Sequence, residues 1–275
     1  MLRKNLAIVL STSVLAVGIL PVAADEIKVG GTGAAFALMQ RLAEAFSAAH
    51  PGDTVEVVPG LGSSGGIAAV AEGALHLSVS SRMLKPEEKA KGISSAPFLD
   101  TPYIFVTSHA KPQALAKADV VAIYDGRLTA WPDGKEIKPV LRPKSESATL
   151  FLLAKFDGMG LAMDKLRQRP DVPVAATDQD NLEAAEKIPN SFAGMTLLQF
   201  TTEKPKLRTV SLDGMQASTE GNSSPGYPLS IQLFSVAKEK PDRATARFVS
   251  FLRTDEAARI IATSGATSSG KSGSQ

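Results

Sequence analysis

The amino-acid sequence predicts an α/β fold made of two lobes, each a mixed sheet flanked by helices. Three observations carry this prediction. Runs typical of strands alternate with runs of helical periodicity over residues 25–80, which indicates βαβ units around a largely parallel sheet. An apolar run, residues 96–106, is interrupted by two prolines and is interpreted as a crossing between lobes. The 275 residues, 44% of them hydrophobic, are enough for one large domain or two modest ones.

Residues 1–24 have the features of a cleaved secretory signal. Arg3 and Lys4 precede an apolar run, and small residues follow it up to Ala24. Polar residues and Pro21 interrupt the run, whereas a membrane-spanning helix needs about 20 apolar residues. We therefore expect export and cleavage after Ala24.

Charge and cysteine content exclude several classes of protein. Without residues 1–24 the chain carries 28 basic and 28 acidic residues. This balance argues against a nucleic-acid partner, because binding the phosphate backbone requires many Lys and Arg contacts. The sequence has no cysteine, which excludes disulfides, thiolate metal sites, cysteine nucleophiles and a lipidated cysteine. An exported protein without a lipid anchor is retained by an outer membrane, so we expect a periplasmic location, with secretion into the medium left open.

The first lobe is predicted from two successive βα units. Apolar residues at helical spacing, including Leu38, Leu42 and Phe46, follow the first strand, and Pro51 ends the helix. The predicted elements are a strand at 25–31, a helix at 36–49, a strand at 54–58, a Gly/Ser loop at 59–66, a helix at 67–75 and a strand at 76–80.

The second lobe is predicted from residue 105, and the chain then returns to the first lobe. The predicted boundaries are 25–104 for the first part of lobe one, 105–224 for lobe two and 225–275 for the return with a flexible tail. The predicted elements are a strand at 138–141, helices at 149–156 and 180–187, strands at 195–199 and 207–211, a second crossing at 216–227, a returning strand at 229–237, a terminal amphipathic helix at 242–261 and a frayed tail at 263–275.

Two glycine-rich loops follow strands of the first lobe. Residues 30–36 contain Thr32, and residues 60–66 contain Ser63 and Ser64. The first N–H groups of a helix lack intrahelical partners, so each loop can hold an anion, although either alone is also typical of a tight turn. Loops after neighbouring parallel strands share one edge of the sheet, where open α/β folds bind ligands.

Two further segments add polar groups. Residues 142–149 offer Arg142 and the hydroxyls of Ser145, Ser147 and Thr149, although a charged turn with a helix N-cap explains the same pattern. Ser81 follows the strand at 76–80 and is expected at the same edge of the sheet. Converging loops of this type hold an anion by oriented dipoles and neutral donors.

A serine hydrolase is the alternative enzyme class. Gly62-x-Ser64-x-Gly66 fits a nucleophile elbow, but the only later histidines, His76 and His109, come too early for the usual order of an acid and then a histidine. The glycines of residues 60–65 also fit a dinucleotide fingerprint, but no acidic residue ends the next strand. The three histidines show no metal-ligand spacing and are interpreted as surface or turn residues. No catalysis, cofactor or metal is expected.

The residues resemble the periplasmic phosphate-binding (PstS-like) proteins of ABC transporters, which have the type II periplasmic binding protein fold. The most specific segments are residues 60–66, 79–84, 123–131 and 227–229. The resemblance implies a ligand in the cleft between two lobes, a monomer, and delivery of a small oxyanion to an ABC transporter permease. The positions that match the family's ligand-binding pattern are Ala35, Phe36, Ser63, Ser81, Arg142, Ser147 and Thr149.

The sequence departs from the family pattern where the ligand is recognised. Ala35 stands where the family has a Thr. Ser81 stands where the family has an Asp, which accepts a hydrogen bond from protonated phosphate. A serine hydroxyl carries no charge and accepts only weakly, so the identity of the oxyanion is left open. A non-transport receptor that reports its ligand state to a sensor partner is the second function that the resemblance leaves open.

Overall fold

The computed structural model describes residues 25–218 and 226–269. The predicted signal, part of the second predicted crossing and the end of the chain lie outside the described residues. The strands are β1 Asp25–Gly31, β2 Asp53–Val57, β3 Leu77–Ser80, β4 Ile93–Thr107, β5 Lys138–Pro139, β6 Ser191–Thr196, β7 Arg208–Val210, β8 Ser230–Lys238 and β9 Thr267–Ser268. The α-helices are α1 Phe36–Ala49, α2 Gly62–Glu72, α3 Pro86–Lys89, α4 Lys117–Asp125, α5 Ser147–Lys155, α6 Met159–Leu166, α7 Asp178–Lys187, α8 Leu197–Glu203, α9 Arg243–Phe251 and α10 Asp255–Ala262.

Lobe one is built on a mixed sheet in the order β2-β1-β3-β8-β4. β1 is parallel to both β2 and β3, and β8 is antiparallel to β3 and to β4. The predicted strands near the N-terminus are therefore confirmed. Because β1 and β3 are parallel neighbours, the loops that follow them meet at one edge of this sheet.

β4 joins the two lobes because its two halves pair in different sheets. It pairs with β8 up to Pro102, and from Tyr103 it pairs with β6 and β7. β6 in turn pairs with β5, which completes the mixed sheet of lobe two. Strand β4, 15 residues long, thus carries the backbone from one lobe to the other. The predicted domain boundary at residue 104 stays a prediction.

Each lobe has its own apolar core. In lobe one, Phe46 packs edge-on against Phe248 with ring centroids 5.0 Å apart. In lobe two, Phe105 stacks on Phe192 with centroids 5.1 Å apart. Burying a side chain of this size contributes about 1.5–3 kcal/mol, so both cores favour independent packing of the two lobes.

Two predicted elements near the second core and the C-terminus are wrong. The predicted strand at 195–199 is the end of β6 followed by α8, because the Thr196 hydroxyl accepts a hydrogen bond from Gln199 N–H and caps a helix there. The predicted terminal helix is two helices, α9 and α10, because Thr254 caps α10 through the N–H of Ala257.

The first part of the predicted frayed tail, residues 263–269, is packed against lobe one, so the prediction is wrong for these residues. Ser264 and Ala266 are buried, and the Thr101 hydroxyl donates to Gly265 O. β9 then pairs with Leu99 and Asp100 of β4. Helices α4 and α6 were not among the predicted elements. Within the residues that the structure describes, no helix combines the length and the apolar character needed to cross a lipid bilayer.

Candidate functional site

A narrow cavity lies where the loops of lobe one face lobe two, and we call it the cleft cavity. Its lining comes from the loops after β1 and β3, from the segment that opens α5, from the start of α7, from Tyr103 of β4, from the end of β6 and from the start of β8. The lining residues are Thr32, Ala34, Ser81, Tyr103, Arg142, Glu146, Ser147, Ala148, Asp178, Gly194, Met195, Thr196 and Ile231.

A chain of hydrogen bonds crosses the cavity from lobe one to lobe two. The Ser81 hydroxyl donates to Thr32 Oγ1 at 3.1 Å, and the Thr32 hydroxyl donates to Asp178 Oδ2 at 3.1 Å. The N–H of Ala34 donates to the same carboxylate oxygen at 3.0 Å. Hydrogen bonds in such a chain polarise one another in a site of low dielectric, so this network holds the two loops in a defined position.

Arg142 is the cation of the cavity and is only 6% exposed. Its Nη2 donates to Glu146 Oε2 at 3.2 Å, and its Nη1 lies 3.2 Å from Asp178 Oδ1. The contact with Asp178 is an ion pair without hydrogen-bond alignment. Among the described residues, neither Nη1 nor Nε of Arg142 has a hydrogen-bond partner. A buried donor without a partner is unfavourable, so the guanidinium retains capacity to bind an anion.

The backbone around Arg142 is fixed by lobe two. The Arg142 carbonyl accepts hydrogen bonds from Arg167 Nη2 at 2.5 Å and from the Thr149 hydroxyl at 3.4 Å. Ser147 begins α5, and its side chain is 9% exposed at the cavity wall. The loop that carries the Arg142 guanidinium is therefore held at the N-terminus of α5.

Gly33 allows α7 to approach the loop after β1. A Cβ atom at this position would lie 2.3 Å from Gln179 Oε1 and 2.9 Å from Asp178 Cβ. Gln179 Nε2 donates to the Gly33 carbonyl at 3.1 Å. Since only glycine leaves room for this contact, the sequence of the loop itself determines how closely the lobes meet.

Tyr103 closes the cavity at the crossing between the lobes. It is 2% exposed, and burial raises the pKa of its hydroxyl well above the usual value. A Cβ atom at position 194 would lie 2.3 Å from the Tyr103 hydroxyl oxygen, so Gly194 provides the space for the ring. The hydroxyl stays protonated and is available as a neutral donor.

Four of the ten predicted site residues line the cleft cavity: Thr32, Ser81, Arg142 and Ser147. Ser63 and Thr149 lie behind the lining, where the Ser63 hydroxyl accepts from the N–H of Ser81 at 2.9 Å. These two residues support the cavity wall and do not form part of it.

The other four predicted residues do not reach the cavity. The N–H groups of Ala35 and Phe36 are used within the turn, by Thr32 O and Gly33 O. The Ser64 hydroxyl accepts from Arg82 Nη2 at 3.1 Å, and Ser145 is exposed. The structure thus brings four of the ten predicted residues to the cleft cavity, and the first turn before α1 uses the backbone donors of Ala35 and Phe36. The predicted site as a whole stays a prediction.

Sequence reasoning missed Asp178, the acidic residue that contacts both lobes. The predicted helix began at residue 180, whereas Thr177 caps α7 through the N–H of Asp180. A Thr followed three residues later by an acidic residue is a helix-start signal, so the pattern could have placed Asp178 at the first turn. It could not have indicated the contact with Ala34, which is 144 residues away in the chain.

The geometry does not support the serine hydrolase alternative. The Ser64 hydroxyl accepts a hydrogen bond from Arg82. None of the three histidine Nδ1 atoms contacts Ser64, since that of His50 contacts Phe46 O, that of His76 contacts Lys28 N and that of His109 contacts Asn190 Oδ1. Of the two interpretations of His109, surface or turn residue, the structure agrees with the second. His109 lies in the bend that follows β4, is 2% exposed and stacks on Trp131 with ring centroids 5.1 Å apart.

Comparison with solved structures shows the fold. The chain is similar to a putative phosphate ABC transporter substrate-binding protein from Clostridium perfringens, solved with bound phosphate, with a TM-score of 0.75 and 21% identity over 89% of this chain and 99% of that one. It is also similar to an ABC-type phosphate transport receptor from Vibrio cholerae, with a TM-score of 0.63 and 21% identity over 89% of this chain and all of that one. The two-lobed type II architecture is therefore confirmed.

Sequence comparison gives two matches, one over part of the chain and one over most of it. A phosphate-binding protein, PstS 2, from Streptococcus pneumoniae is 32% identical over 106 residues, which is 38% of this chain and 36% of the relative. The match thus spans about a third of the relative's length. The family model described as the PBP superfamily domain matches residues 21–256. The chain therefore belongs to the PBP superfamily, and the three relatives described here are named as binding proteins or transport receptors.

Proposed function

We propose that this protein captures a small oxyanion, phosphate or a close relative of phosphate, in the cleft cavity. The observation that carries the proposal is Arg142, a buried guanidinium at the cavity wall with two donor atoms that lack hydrogen-bond partners among the described residues. Arginine presents donors in a planar fork that matches the oxygens of a phosphate-like group.

Neutral donors surround this cation on several sides. The hydroxyls of Thr32 and Ser81 come from lobe one, and those of Ser147 and Tyr103 come from lobe two and from the crossing. Hydroxyls can donate to an oxyanion and can also accept from a protonated one, so the set suits an anion that carries both oxygens and a proton.

Binding by both lobes gives a mechanism without covalent chemistry. A ligand that contacts Thr32 in lobe one and Arg142 in lobe two favours the closed form over an open form, because each lobe supplies part of the binding free energy. An importer that recognises the ligand-bound closed form then receives loaded protein.

The relatives support the transport role and the location. The proteins from C. perfringens and V. cholerae are described as a substrate-binding protein of an ABC transporter and an ABC-type transport receptor, both for phosphate. By this likeness we propose a periplasmic, monomeric protein that is exported by the signal at residues 1–24 and delivers its ligand to an ABC permease. Co-purification with a permease, as opposed to a sensor domain, separates this role from that of a non-transport receptor.

The test of the proposed function is calorimetric titration with inorganic phosphate. Removing the Arg142 guanidinium in Arg142→Met should weaken binding at least tenfold, because a hydrogen bond to a charged group contributes about 1.5–3 kcal/mol. Arg127→Met is the matched control, since Arg127 is exposed and pairs with Asp125 away from the cavity. Equal affinities of Arg142→Met and wild type would contradict the proposal.

A further inference from the structure

Asp178 places a carboxylate of the protein itself among the donors of the cleft cavity. Its Oδ2 accepts from the Thr32 hydroxyl and from the N–H of Ala34, and its Oδ1 lies 3.2 Å from Arg142 Nη1. A hydroxyl, a backbone N–H and a guanidinium are the kinds of donor that bind an oxyanion. The carboxylate thus uses the groups that a bound ligand would use.

We propose that Asp178 is an internal competitor of the ligand, and that its displacement sets the affinity and the selectivity of the cleft. The inference rests on the proposed function and deepens it. It assigns a specificity-determining role to a residue that contacts both lobes.

The space in the cavity supports this assignment. The Asp178 carboxylate occupies the side of the cavity that faces Arg142 Nη1, Thr32 and the N–H of Ala34. An oxyanion that uses these donors has to displace the carboxylate from them.

Charge leads to the same conclusion. Asp178 and Glu146 both lie 3.2 Å from the Arg142 guanidinium, so two carboxylates face one cation. Like charges at short distance repel one another, and a ligand anion would be a third negative group beside the two carboxylates. Departure of Asp178 reduces that repulsion and leaves the guanidinium shared by Glu146 and the ligand.

The geometry also indicates which ligands can displace Asp178. The carboxylate leaves Arg142 Nε and Nη1 without hydrogen bonds, whereas an anion with four oxygens can bond to the whole fork. A simple carboxylate offers no more oxygens than Asp178 and must compete with a tethered group, whose effective concentration is on the order of millimolar. We therefore expect the cleft to favour tetrahedral oxyanions over small carboxylates.

The first test compares affinities of variants at this residue. Asp178→Asn and Asp178→Ser should bind inorganic phosphate about fivefold or more tightly than wild type, the lower end of usual coupling between competing ligands. Asp178→Ser should also bind formate more tightly than wild type does. Glu183→Gln is the matched control, because it removes one exposed negative charge from the same helix α7. Unchanged or weaker phosphate binding by the Asp178 variants would overturn the proposal.

The second test measures the contact between the lobes and does not depend on any ligand. The chain has no cysteine, so spin labels can be attached at Lys91→Cys in lobe one and Ala154→Cys in lobe two, both exposed positions. Without ligand, Asp178→Ser should give a longer mean distance between the labels than the wild-type background. If neither wild type nor the Asp178 variants bind phosphate, the proposed function fails. The distance between the labels still shows whether Asp178 holds the two lobes together. Identical distances would overturn it.

Discussion

Ser81 illustrates how a single side chain changes the chemistry of the cleft. Its hydroxyl donates to Thr32, which in turn donates to Asp178, so Ser81 acts through a chain of hydrogen bonds across the cavity. The acidic group at the end of this chain is Asp178, which lies at the start of α7 in lobe two. The sequence predicted Ser81 at this edge because it follows β3, but only the three-dimensional arrangement shows that Asp178 lies beyond it.

Replacing Ser81 by alanine tests this chain. Ser81→Ala should weaken phosphate binding about twofold to tenfold, because one neutral hydrogen bond contributes about 0.5–1.5 kcal/mol. Ser145→Ala should have no effect, since Ser145 is exposed and lies outside the cavity lining. Calorimetric titration of both variants provides the comparison, and a loss at Ser145 equal to that at Ser81 would contradict the placement of the site.

Arg82 and Glu88 form a second residue-scale feature, next to the site. Two hydrogen bonds from Arg82, at 2.8 and 2.7 Å, lower the pKa of Glu88 from 4.5 to about 2. The folded-state pKa lies below the unfolded value, so this contribution to stability is fully present above pH 4.5 and is lost as the pH falls towards 2. The pair also holds Arg82 against Ser64 and away from the cavity.

The free energy of unfolding in urea should therefore depend on Glu88 in a specific way. At pH 7, Glu88→Gln should be less stable than wild type by up to about 3 kcal/mol, and the difference should shrink between pH 4.5 and pH 2. Glu87→Gln, at the exposed neighbouring position, should show no comparable change. A difference that is independent of pH would mean that the ion pair is not its cause.

At the scale of elements, sequence periodicity was sufficient to place a helix or strand where glycine or proline marks its end. Glycine and proline mark the ends of β1, α1 and β2, and these elements were predicted within a few residues. Residues 195–198 are apolar except for Thr196, and a short run of this kind fits a strand and a buried helix equally well, so the start of α8 was missed. The contact of α7 with the loop after β1 joins distant parts of the chain, and local patterns carry no information about it.

Substitution of Gly33 tests how this element contact is made. In Gly33→Ala the new methyl group would collide with Asp178 and Gln179, so we expect a loss of stability of about 1–3 kcal/mol. Gly65→Ala is the control, because its methyl group would make only an ordinary contact 3.6 Å from Leu61. Chemical unfolding of both variants checks this, and a neutral Gly33→Ala would show that α7 does not need the glycine.

At the scale of the whole molecule, two sheets share one long strand and enclose a cavity with a buried guanidinium. The sequence predicted the lobes and the participation of Arg142, since both follow from alternating elements and from a loop between a strand and a helix. It did not predict the closeness of the lobes around Asp178. That closeness depends on contacts between residues far apart in the chain, including the hydrogen bond from Gln179 to Gly33.

Thermal unfolding of the ligand-stripped protein with phosphate, arsenate, sulfate, a phosphonate and formate tests the central claim most directly. A ligand bound only by the folded state at 100 times its Kd stabilises it by about 2.7 kcal/mol. For a chain of this size that raises Tm by about 5–10 °C. We predict such a rise with phosphate or another tetrahedral oxyanion and none with formate. No rise with any oxyanion, at concentrations up to several millimolar, would contradict the account.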